Sequence, residues 1–255
     1  MREMTDLAGV RQTAKALLML DLVLTPYSPM VVQHPFTNSG ITYGQKDGKM
    51  QILNLVENPD DLDAWRGSIK KAIEEADSPY HLYMMVNPPY ALTFLKYTKP
   101  YLGRDDFSKI LAGAWIMSEY ANSDEAVSKV ELVEMFRASD PAILMDTDER
   151  EQLAGLDDPV TVYRGVTSYN AENIKALSWT LSYDTARWFA DRFVESGTVY
   201  KSQMEKAHVL ALFNGRDESE IILDPKYLPE IEPALENREA EAMEPKNEIE
   251  IQMGG

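Results

Sequence analysis

The pattern of apolar residues changes character at Val160. Before it, apolar side chains recur mainly at helical spacing, as in Leu7–Leu24, Asp60–Ala76, Ala91–Tyr97, Asp105–Tyr120, Ala126–Phe136 and Asp148–Leu153. Trp65, Ile69 and Ile73 stand at i, i+4 and i+8, behind Asp60 or Asp61 as helix cap. Short strand-like runs at Met30–Phe36, Ile41–Tyr43 and Met50–Leu55 interrupt this region, separated by turns at Thr37–Gly40 and Lys46–Lys49. From Val160 onward the runs are short and β-branched: Val160–Val166, Ala176–Leu181, His208–Phe213 and Glu220–Leu223. They enclose one helix, Asp184–Val194, whose Ala186, Phe189, Ala190 and Phe193 form an apolar stripe. Helices gathered first and strands later predict an α+β fold, not alternating βαβ units. The expected organisation is an N-terminal mixed α/β lobe over 1–100, a core over 101–228 and an acidic tail over 229–255.

Charge and composition narrow the chemistry. The formal net charge of −17 argues against a surface that tracks nucleic-acid phosphates. The charge is not evenly spread: over 229–255, Glu230, Glu232, Glu236, Glu239, Glu241, Glu244, Glu248 and Glu250 stand against Arg238 and Lys246, a composition that reads for the most part as a solvated tail or loosely docked extension. Without cysteine, no disulfide framework, thiolate metal site or cysteine nucleophile is available, which fits a reducing, cytoplasmic setting. No run approaches the roughly 20 apolar residues of a membrane span, and Ala14–Leu24, broken by Asp21, reads as a buried helix and not a signal core.

Several familiar sites are missing. There is no Gly-x-Gly-x-x-Gly, and Gly44–Lys49 is one residue short of a phosphate loop and lies between strands, so a hairpin turn is the better reading. His34, His81 and His208 have no ligand-like spacing, so neither a metal centre nor a Ser-His-Asp triad is expected.

Three segments carry the remaining chemistry. Arg164 follows Val160-Thr161-Val162-Tyr163 and precedes Gly165; a guanidinium at a strand end forks onto phosphate oxygens, and a glycine admits a ligand to the backbone. In Ala176–Leu181, period-two alternation puts Ser178 and Thr180 on one face, with Leu177, Trp179 and Leu181 on the other. Glu218 and Glu220 are read as i and i+2 of an extended segment, two carboxylates on one side that a cation would relieve. Similar Glu-x-Glu pairs occur in the tail, but only Glu218/Glu220 sits between the Asn214–Asp217 turn and an aliphatic strand.

Tyr163-Arg164-Gly165, Ser178-Trp179-Thr180 with the following Ala186–Ala190 helix, and Glu218-Ser219-Glu220 resemble the R-S-E class of mono-ADP-ribosyltransferases. From about Phe94 onward the chain is similar to ADP-ribosyltransferase-like proteins encoded by phages and prophages. The resemblance implies a split β-sandwich core, Val160–Asp224 at its centre, behind a helical layer. It assigns NAD as the substrate, with no metal. Arg164 holds the phosphates, and the Gly165 backbone holds the nicotinamide amide. Ser178 and Thr180 orient the ribose and buttress the glutamate, with Trp179 and Phe189 also on the cofactor. Glu220 is the catalytic acid, and Glu218 positions the acceptor. The middle motif is Ser-Trp-Thr where the family usually has Ser-Thr-Ser, and the interval from Arg164 to Ser178 is shorter than in toxin-type members.

The expected activity is transfer of ADP-ribose from NAD to a side chain of a host protein, arginine being the first expectation, in the host cytoplasm if the chain is phage-encoded. Neither nucleic acid nor membrane is an expected partner. Two alternatives stay open: an NAD glycohydrolase using the same residues, and a catalytically silent binding or inhibitory protein. The aromatic segment Tyr80–Tyr90 is a candidate acceptor-binding surface.

Overall fold

The computed structural model describes residues 2–118, 126–192 and 197–234. It mixes helices with open antiparallel sheets, the α+β class expected. The chain divides into two compact units, Met1–Leu156 with Leu210–Asp217, and Asp157–Val209 with Glu218–Gly255. The expected boundary near residue 100 is therefore corrected, because the helices after it belong to the first unit. The chain is stitched across that point: Asp6 N donates to Tyr101 O (2.7 Å), and Thr5 Oγ1 donates to Asp106 Oδ2 (2.5 Å).

The first unit contains α1 (Leu7–Leu18), α2 (Pro59–Glu75), α3 (Pro79–Met84), α4 (Ala91–Thr98), α5 (Arg104–Met117), α6 (Lys129–Ala138), α7 (Pro141–Leu144) and α8 (Thr147–Gly155). Its core forms because the apolar stripe of α5, Phe107, Ile110, Leu111, Ala114 and Trp115, is almost fully buried. Burying each large side chain contributes about 1.5–3 kcal/mol. Trp115 meets Phe136 of α6 edge to face, ring centroids 5.1 Å apart. The cap of α2 is Asn58, not Asp60 or Asp61; Asn58 accepts from Asp60 N (3.1 Å). Asp61 instead accepts from Lys46 Nζ (2.5 Å) and Asn54 N (2.9 Å).

The apolar run expected as one helix to Leu24 ends at Leu18, and Val23–Thr25 forms β1. It leads a three-stranded antiparallel sheet with β2 (Ser28–His34) and β3 (Thr37–Ser39). Next, β4 (Ile41–Lys46) and β5 (Lys49–Asn54) pair from Ile41↔Asn54 to Lys46↔Lys49. Asp47 and Gly48 turn between them at φ 53° and 74°. Two successive positive φ values are what a type I′ hairpin turn requires, and with Lys46 paired to Lys49 they make Gly44–Lys49 a hairpin and not a phosphate loop. Most of β9 (Val209–Phe213) also belongs to this unit.

The second unit is built on five strands in the order β11-β8-β6-β7-β10. These are β6 (Val160–Val166), β7 (Ser178–Thr180), β8 (Thr198–Met204), β10 (Glu220–Leu223) and β11 (Glu232–Pro233). β6 and β8 register over seven pairs, from Val160↔Met204 to Val166↔Thr198. β7 and β10 register over three, whereas β6 and β7 meet at a single pair, Tyr163↔Thr180. Helix α9 (Tyr183–Ala190) lies on β6, burying Ala186 and Ala190. Val194 and Phe193, expected in this helix, lie outside the described residues.

The start of the acidic segment is docked, as one of its two expected readings had it. Glu232 pairs with Lys201 in register and through a 3.1 Å ion pair, and Ala234 N donates to Val199 O (2.8 Å). Residues 235–255 lie outside the described residues. Among the described residues no helix is long and apolar enough to cross a membrane.

Candidate functional site

Three neighbouring strands of the second unit bring Arg164, Ser178 and Glu220 together. Val160–Val166 is an extended β-branched run, and its far end presents Arg164 beside β7. Arg164 Nη1 donates to the Ser178 carbonyl at 2.5 Å. The Ser178 hydroxyl in turn donates to Glu220 Oε1, also at 2.5 Å. The result is a hydrogen-bonded line from a guanidinium through a serine to a carboxylate, crossing β6, β7 and β10.

The electrostatics follow from burial. Glu220 is only 6% exposed at the first position of β10. Desolvation pushes the Arg164 guanidinium from its ordinary 12.5 down to about 10, and the nearby Glu220 carboxylate pulls the other way. Arg164 Nε is buried and has no hydrogen-bond partner among the described residues. A charged donor buried with unused capacity is costly unless something negative arrives to use it.

The other expected site residues are placed differently. Trp179 is buried on the opposite face of β7, its indole Nε1 donating to Ala176 O (3.1 Å), so it anchors the strand and is not a cofactor wall. The Thr180 hydroxyl is already engaged: it donates to Glu218 O (2.6 Å) and accepts from Ser182 N (3.1 Å). Both of these bonds are to the main chain. What approaches Gly165 closely is helix α9. A Cβ there would lie 2.3 Å from Ala186 O and 2.6 Å from Ala190 N, which only glycine avoids. Phe189 is half-buried beside that contact and packs edge to face on Trp188, centroids 4.9 Å apart.

Glu218 is not on an extended segment with Glu220. It lies in a bend between Asp217 and Ser219, both at positive φ (55° and 43°), and the strand begins only at Glu220. The left-handed turn at Ser219 breaks the two-residue alternation on which the sequence reading relied.

Asn170 escaped the sequence reading. Its side-chain amide donates to Gly165 O (3.2 Å) and accepts from Thr167 N (2.7 Å), covering the end of β6. A Tyr-Asn pair in a turn is the only local signal for it. Tyr183 was also missed, as was the packing role of Tyr163 within its motif; the two rings meet edge to face at 5.8 Å and pack on Ala186, Ala190 and Val199.

The first unit has a cleft of about 1770 Å³ walled by Tyr27, Tyr90, Tyr97 and Tyr101 with Asn38 and Asn87. Within the aromatic segment Tyr80–Tyr90, Tyr90 lines this cleft, whereas Tyr83 is buried against Tyr80. Among the described residues no three His, Asp or Glu side chains converge as a metal ion would require. No protein-family model, curated protein or solved structure matches the chain.

Proposed function

We propose that the second unit is an ADP-ribosyltransferase-like split β-sandwich that binds NAD and cleaves its nicotinamide–ribose bond, passing ADP-ribose to a protein side chain. The observation that carries this reading is the Arg164–Ser178–Glu220 line: three residues separated in sequence, joined by two 2.5 Å hydrogen bonds on adjacent strands. The single register pair between β6 and β7 supports the split arrangement.

The chemistry uses that line directly. As the C–N bond breaks, nicotinamide leaves with the bonding electron pair and the ribose becomes oxocarbenium-like, as in glycoside hydrolysis. Glu220, held by Ser178, stabilises the developing positive charge, and Arg164 pairs with the pyrophosphate through donors it does not spend internally. The acceptor then attacks the ribose carbon and gives up a proton, for which Glu218 is the nearest carboxylate in sequence.

Nicotinamide release from NAD by the purified protein tests the reading. Glu220→Gln is expected to lower the rate by about 10²–10³, the usual loss when one preorganised electrostatic group is removed. A wild-type protein that releases no nicotinamide in host lysate, and shows no thermal shift with NAD, would leave the silent binding protein as the better description. A glycohydrolase is favoured by one observation, the placement of Glu218 in a bend and not beside Glu220 on the strand. In that case Glu218→Gln leaves NAD cleavage nearly intact; for a transferase it removes transfer while sparing some hydrolysis.

A further inference from the structure

We propose that Thr180 is a positioning residue: its hydroxyl sets Glu218, and thereby the division of ADP-ribose between an acceptor and water. This inference rests on the transferase reading above. The two glutamates of the Glu-Ser-Glu segment are held by two different hydroxyls of one three-residue strand, one through its carboxylate and the other through its main chain. Ser178 Oγ holds the Glu220 carboxylate, and Thr180 Oγ1 holds the Glu218 backbone carbonyl at 2.6 Å. The next carbonyl, that of Ser219, accepts from Leu181 N (3.1 Å), so consecutive residues after Trp179 grip consecutive carbonyls of the bend.

The grip is needed because the bend is conformationally unfavourable. Asp217 and Ser219 flank Glu218 in the left-handed region, where residues other than glycine are rarely at ease. The Glu220 carboxylate has its own support in the Ser178 hydroxyl, and its backbone registers with Thr180 across the β7–β10 ladder. Trp179, buried and bonded to Ala176 O, fixes the strand so that both hydroxyls emerge on one face. Thr180 Oγ1 also accepts from Ser182 N, and Ser182 caps α9 through Thr185 N. The hydroxyl thus ties the bend to the start of the helix on β6.

This separates two steps. Breaking the glycosidic bond sends the electron pair to nicotinamide and calls on Glu220. Completing transfer requires an acceptor nitrogen to attack the same carbon while its proton passes to Glu218. Water needs less placement than a side chain, so a wandering Glu218 costs transfer more than hydrolysis.

The test uses the full chain and two variants, Thr180→Val, which keeps the shape without the hydroxyl, and Thr180→Ser, which keeps the hydroxyl. Nicotinamide release and protein-bound label are measured together, with ADP-ribose-labelled NAD in host lysate. For Thr180→Val, release is expected to fall by no more than about threefold and labelling by about tenfold or more, the loss of one hydrogen bond's worth of placement. Thr180→Ser should restore the wild-type ratio. Faster amide exchange at Ser182 in Thr180→Val, with an unchanged far-UV spectrum, is the accompanying physical signature. Parallel loss of release and labelling overturns the proposal, as does a Thr180→Ser variant that behaves like valine. A wild type that releases nicotinamide but labels no protein overturns it while leaving NAD cleavage standing; a wild type that releases none removes the transferase reading itself.

Discussion

Replacing Ser178 with alanine removes the hydroxyl that donates to Glu220 Oε1 and leaves the Arg164 bond to the Ser178 backbone carbonyl in place. Glu220 is 6% exposed, so water does not readily substitute for the lost donor. A hydrogen bond to a charged group contributes about 1.5–3 kcal/mol. If all of it serves to hold the carboxylate where charge develops, the barrier rises by that amount and kcat falls by roughly 10- to 150-fold, at about 1.4 kcal/mol per factor of ten. On the proposed NAD-cleaving reading the ground state loses less, so KM for NAD should change by no more than about threefold. Steady-state nicotinamide release at saturating and limiting NAD separates the two, with thermal unfolding as the control for fold. A raised KM with unchanged kcat would refute the reasoning, because Ser178 would then be a substrate contact and not the support of Glu220.

Gly165→Ala should destabilise the protein by about 1–3 kcal/mol, the usual cost of overpacking, because its Cβ would meet the α9 backbone at 2.3 Å and 2.6 Å; the urea midpoint reads this directly. His34 lies fully buried beside Trp65, and desolvation is the main cause holding its pKa below the ordinary 6.5. The unfolded chain therefore takes up the proton first. The contribution of neutral His34 is present in full above about pH 6.5 and is lost progressively as pH falls below it. Urea midpoints between pH 7.5 and pH 5 should fall more steeply for the wild type than for His34→Asn; parallel curves would show that His34 is not responsible.

What was legible in the sequence was whatever one residue's neighbours could decide. β6 and β10 appear at their expected bounds because Val160–Val166 and Glu220–Leu223 are dense in β-branched and aliphatic residues with turns beside them. β8 went unseen: its buried positions are Val199, Ser202 and Met204, a spacing without strict alternation, with Lys201 and Gln203 between them. Helices α3 and α7, of six and four residues, are too short to show a helical period. Motifs single out Arg164, Ser178 and Glu220 in the sequence, but which oxygen Arg164 and Ser178 grip is not written in them. That Thr180 holds a backbone carbonyl, and that Ser219 turns left-handed, depend on how a turn closes on a neighbouring strand. Such contacts cross some 40 residues of sequence and leave no local periodicity.

The lone register pair between β6 and β7 has a consequence for how this site can change over generations. Beyond Tyr163, a side chain stands in where a sheet ordinarily uses a main-chain rung: Arg164 takes the Ser178 carbonyl. Main-chain rungs are the same for every residue type, so mutation cannot edit them, whereas this link is encoded by one residue. The width and polarity of the gap between the strands can therefore be retuned by single substitutions, without shifting the seven-pair ladder that holds β6 to β8.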